Sequence, residues 1–182
     1  MPWDIILPLL LVALLAYAFL AFARRARAAL VLARQAAGFR AAAAGLGGGV
    51  DGLLGHIAKR TDAVRRGTVP PGELTDELRA AVASLDDASA AARELAAPLG
   101  AGRLRQDLAE DIARGSRAAE MILHGCILAA EGRGRASELE AQTNVKRGYL
   151  NLLHARESLA GHLADAARTA PDRPAIRRAS GA

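Results

Sequence analysis

Four histidines and a single cysteine are the side chains best suited to chemistry in this sequence. His154 and Glu157 stand three residues apart, as do His162 and Asp165, while Glu120 and His124 stand four apart. On a helix each such pair shares one face. If folding converged His124, His154 and His162, the chain would be a metal-binding or enzymatic helical bundle, which is the alternative function to be weighed. A ferritin-like di-metal centre, however, requires two Glu-x-x-His elements and two further inward glutamates. The sequence contains neither element.

Cys126 is two residues from His124, and residues two apart on a helix point in different directions, so they cannot pair as nucleophile and base. One cysteine also excludes an intramolecular disulfide and any multi-cysteine zinc or iron-sulfur site. Ser116 and Ser137 lack the flanking glycines of a nucleophile elbow. The Gly-rich stretch 45–49 follows no strand and precedes no Gly-Lys-Ser/Thr, so it is not read as a phosphate loop. No catalytic, cofactor-binding or metal-ligating residue is assigned, no cofactor is expected, and the chain is read as non-enzymatic.

The elements that would hold these residues follow from composition. The chain has 182 residues, is rich in alanine, and after Phe39 has Tyr149 as its last aromatic. Without β-branched runs or bulky rings, a β-sandwich, a Rossmann domain or an aromatic-lined cofactor pocket is excluded, and thin helical packing is expected. The fold expected is all-α: an N-terminal single transmembrane helix followed by a cytoplasmic antiparallel helical bundle.

Residues 5–22 carry no charge, and eighteen helical residues at ~1.5 Å each nearly span a ~30 Å hydrocarbon core. Residues 1–23 are therefore expected to be a transmembrane anchor. Arg24, Arg25 and Arg27 follow it, with no acidic residue until Asp51. The positive-inside rule then places the N-terminus outside and the C-terminal domain in the cytoplasm, as a single-pass protein of the inner membrane. Residues 24–44 continue as a basic juxtamembrane helix, and Arg24, Arg25 and Arg27 are the expected contacts to anionic lipid headgroups. The glycines of 45–49 are expected to end that helix in a hinge.

Residues 50–170 are expected to form the bundle, with 171–182 a disordered basic tail. Within the bundle, Leu74, Leu78, Ala81, Leu85, Ala88, Ala92, Leu95 and Leu99 recur at alternating spacings of four and three, a heptad stripe of the coiled-coil kind. Leu74, Leu78, Leu85, Leu95 and Leu99 form a packing seam, covered either by neighbouring helices or by another copy. Glycines 115, 125, 148 and 161 inside helical patterns suggest close backbone approach. The 24 basic residues against 19 acidic ones are concentrated near the anchor, at 59–66 and in the tail, without the aromatic surfaces of a single-strand binder, so nucleic acid is not the expected partner. The expected function is a scaffold or interaction module at the membrane, its partners the membrane with its anionic headgroups and a protein or a second copy.

Overall fold

The computed structural model describes residues 3–132 and 134–169, with side chains described from Leu14 onward. All regular structure among these residues is helical: α1 (Trp3–Arg65), a 3-10 turn at Pro71–Leu74, α2 (Thr75–Arg93), α3 (Gly102–Glu131) and α4 (Arg135–Arg168). Pro70-Pro71 stand at the 3-10 turn that precedes α2 and Gly132 directly follows α3, whereas α2 stops at Arg93, five residues before Pro98. Gly132 caps α3 in the left-handed conformation with φ +61°, which a residue with a Cβ adopts at a cost.

The expected hinge at 45–49 is corrected. α1 is one helix of 63 residues, ~95 Å long, and it passes through Gly45, Gly47, Gly48 and Gly49 without interruption. The reason is packing on both sides of the glycines. Ala36, Phe39 and Ala43 before them and Val50, Leu54 and Ile57 after them are all buried on one stripe, and that burial offsets a helical cost of ~1 kcal/mol per glycine. Gly47 is itself buried against Leu163, where a Cβ would collide with the leucine methyls. The anchor helix, the hinge and the first bundle helix are therefore one element.

From Ala36 onward α1 joins α2, α3 and α4 in an up-down-up-down four-helix bundle. The pairing is antiparallel at each step. Along α1 and α4, Arg40 Nη1 donates to the Thr169 carbonyl at 2.9 Å, Arg156 meets Asp51, and Arg65 lies over the Tyr149 ring at 4.7 Å. Glu77 of α2 takes His56 and Arg60 of α1. Ser89 Oγ donates to the Ala109 carbonyl at 3.0 Å, and Ser116 Oγ to Asp86 Oδ1 at 2.7 Å, joining α2 to α3.

Leu54, Ile57, Leu74, Leu78, Leu85, Ile112, Ile122, Leu152 and Leu159 fill the centre. Alanine and glycine let the helices close around them. A Cβ on Gly148 would stand 2.6 Å from Ile122 Cγ1 and 2.9 Å from the Ala118 carbonyl, and one on Gly125 would stand 2.8 Å from the Ala141 carbonyl. Gly115 meets Leu54 in the same way, whereas Gly161 faces open space and takes no part.

The membrane placement is also corrected. Among the described residues no helix is long and apolar enough to cross a membrane, which overturns the transmembrane anchor at 1–23 and the single-pass inner-membrane topology built on it. The uncharged stretch with described side chains covers 14–23 before Arg24 interrupts it. At ~1.5 Å per residue it reaches about half of a ~30 Å hydrocarbon core. The rest of the apolar run, 5–13, lies outside the described side chains, and the tail expected to be disordered, 171–182, lies outside the described residues.

Candidate functional site

The leucine seam is covered within the chain. Leu74, Leu78 and Leu85 are fully buried in the bundle core. α2 ends at Arg93, so the stripe cannot continue to its expected length. Leu95 packs partly against the core from the following loop, and Leu99 is 77% exposed. Leu99 therefore leaves the seam, because the heptad rule applies only while the backbone stays helical.

The histidines do not converge on a metal site. His124 and His154 are exposed, while His162 is half-buried at the interface of α3 and α4. Among the described residues no group of three or more His, Cys, Asp or Glu side chains is placed to hold a metal ion. Cys126 is fully buried, and that burial pushes its thiol up to about 11. A thiol so placed carries little thiolate near neutrality and acts as a small hydrophobe.

The structure brings together a polar cluster that spacing alone did not reveal. Asp111 of α3 is fully buried and is bonded through one oxygen to His162 Nδ1 at 2.6 Å and through the other to Arg114 Nη1 at 2.8 Å. Both carboxylate oxygens are thus satisfied in a place where an unpaired charge would be costly. A signal for it was present: Asp111 is three residues after Leu108 and next to Ile112, on the inward stripe of α3. The partner on α4, fifty-one residues away, could be assigned only once the two helices were in register.

A second link, missed for the same reason, joins α1 to α4. Arg156 donates from Nε to Asp51 Oδ1 at 2.6 Å and from Nη2 to Oδ2 at 3.2 Å, a two-pronged contact across 105 positions. That contact holds the Asp51 carboxyl below its usual value of 3.8, against the opposing effect of its partial burial.

Outside the bundle, α1 presents a different surface. No residue from 14 to 35 is buried. Tyr17, Phe19 and Phe22 are exposed by 72% or more, and Leu14, Leu15, Leu20, Leu30 and Val31 stand open around them. Arg24, Arg25 and Arg27 are exposed immediately beyond the aromatic stretch. At 100° per residue these side chains surround the helix on all sides. A third surface, a cleft of about 750 Å³ at the opposite end of the bundle, lies among Val64, Arg65, Pro71, Leu128, Val145 and Lys146.

Compared with known proteins, the chain matches no family model, no curated protein and no solved structure.

Proposed function

We propose that this chain is a non-enzymatic helical scaffold, in which the four-helix bundle is a firm base and the first part of α1 is an arm that meets a partner. The observation that carries this reading is the exposure of Leu14, Leu15, Tyr17, Phe19, Leu20 and Phe22 on one continuous stretch of helix. Such contiguous apolar surface is rare on a protein without a partner and marks an interaction site.

Arg24, Arg25 and Arg27 direct the choice of partner. They form a basic collar at the end of the apolar stretch, and each arginine beside an anionic headgroup surface adds ~1 kcal/mol of attraction. Surface contact with anionic lipid is accordingly the proposed role of the arm, with the bundle left free to hold a protein partner. Flotation of the full-length chain with phosphatidylcholine vesicles, with and without phosphatidylglycerol, tests this. Binding that requires the anionic lipid, and that drops when Arg24, Arg25 and Arg27 are all changed to Glu, supports it. Binding unchanged in that variant and in Phe19→Asn/Phe22→Asn would remove the arm from the function. Concentration-dependent sedimentation that those phenylalanine changes abolish would make the partner a second copy.

A further inference from the structure

A shallow groove of about 600 Å³ runs along the outer face of α3 and α4, far in sequence from the arm. Arg114, Arg117, Ala118 and Met121 form one wall, and Asn151, His154, Ala155 and Ser158 form the other. No carboxylate lines it. We propose that this groove is a binding site for a phosphate monoester of a small organic alcohol.

The donors carry the argument. Arg114 and Arg117 are three residues apart and so lie on one face of α3, while Asn151, His154 and Ser158 follow helical spacing along α4. Arg114 is fixed from behind by buried Asp111 at 2.8 Å and has Glu110 at 4.0 Å, so much of its charge is balanced while its position is set. Arg117, Asn151, His154 and Ser158 make no side-chain hydrogen bond or ion pair among the described residues. The nearest acids along the two helices, Glu120 and Glu157, are exposed and pair with none of them.

A set consisting of guanidinium, imidazole, amide and hydroxyl groups offers hydrogens from both walls and no negative ligand. It suits an anion and repels a metal cation. A phosphate monoester has three terminal oxygens to receive donors from two directions, where a carboxylate has two, and a guanidinium fork matches phosphate geometry. Ala118, Met121 and Ala155 give the groove an apolar floor for the carbon portion. The same headgroup chemistry is found in a free sugar or glycerol phosphate and in a phosphatidate lipid.

Calorimetric titration of the full-length chain with glycerol 3-phosphate, and flotation of the chain carrying Arg24, Arg25 and Arg27 all changed to Glu with phosphatidylcholine vesicles containing phosphatidic acid, test the site and separate the two sources. Saturable one-to-one binding of either probe should weaken about tenfold in Arg117→Gln, the loss of one charge-assisted contact, and by a few-fold in His154→Gln. Arg117 is exposed, so circular dichroism should show both variants folded as the parent. Replacing Arg24, Arg25 and Arg27 with Glu should leave glycerol 3-phosphate binding unchanged. Absence of saturable binding to both probes overturns the proposal, as does binding that ignores Arg117→Gln or that glycerol or chloride displaces as well as glycerol 3-phosphate does.

Discussion

α1 is a single helix with two environments. Between residues 14 and 35 no side chain is buried, although leucine, phenylalanine and tyrosine are concentrated there. Between Ala36 and Ile57, where the sequence is poorer in large apolar residues and richer in glycine, the side chains on one stripe are almost completely buried. Local hydrophobicity therefore predicts the opposite of what is packed. Burial is decided by whether a neighbouring helix of the same chain is within reach, and α4 ends at Arg168, level with Arg40 of α1. The arm keeps the larger apolar side chains and has no intramolecular cover among the described residues, and the proposed contact with a partner rests on that difference.

One charge placed in each region should separate their two environments most widely. Leu85 is fully buried in the bundle, and Leu20 is 56% exposed on the arm. Leu85→Glu should destabilise the bundle by more than ~4 kcal/mol, through lost apolar burial and the desolvation of a carboxylate without a partner. Leu20→Glu should change stability by no more than ~0.5 kcal/mol. Chemical denaturation followed by circular dichroism measures both. A folded Leu85→Glu that has merely lost self-association would mean that the seam is covered by another copy, and the division between base and arm would have to be redrawn.

Much of the bundle is legible in the sequence, because the period of its apolar residues and its Pro and Gly punctuation are local signals. α3 and α4 begin and end within a residue or two of where Gly102, Gly132 and Pro171 imply. The glycines of 45–49 misled because their cost is local, whereas the compensation comes from Leu163 and from other side chains on α4, more than a hundred residues away. Leu99 misled for the reverse reason: its spacing continued the stripe after the helix had stopped at Arg93. Asp111 and His162 were each visible as polar residues on or near an inward face. Their pairing was not, since it depends on the relative register of two helices, which in turn is set by the close approaches at Gly125 and Gly148.

That pairing gives a smaller effect, again confined to the bundle. His162→Ala leaves the buried Asp111 carboxylate with one oxygen unpaired, and should cost about 3 kcal/mol. Asp111→Asn leaves His162 and Arg114, both of which reach solvent, and should cost less, about 1 to 2 kcal/mol. The double variant should fall short of the sum, because each change removes the same contact. Additive losses measured by urea denaturation would show that the two residues stabilise their helices separately and that the short distance between them contributes little.

The smallest expected effect comes from the Asp51 and Arg156 contact, where α1 has entered the bundle but its charged side chains still meet water. The two side chains are 42% and 43% exposed, so solvent screening limits the contact to less than ~1 kcal/mol. Its sign with pH is fixed by the lowered Asp51 value, which results chiefly from the Arg156 hydrogen bond. As acid is added, the unfolded chain takes up the proton near 3.8 while the folded carboxylate still resists it. The contribution is therefore fully present above that value and is lost as the pH falls through the lower folded value. Arg156→Gln should be slightly less stable than the parent near neutrality, and the two should converge in strong acid or in 1 M salt. Arg27→Gln, at an exposed arginine of the arm without a partner among the described residues, should match the parent at every pH. A gap for Arg156→Gln that persists unchanged in acid would assign its value to the packing of the guanidinium over Gly55, where a Cβ would lie 3.3 Å from Cζ, and not to the carboxylate.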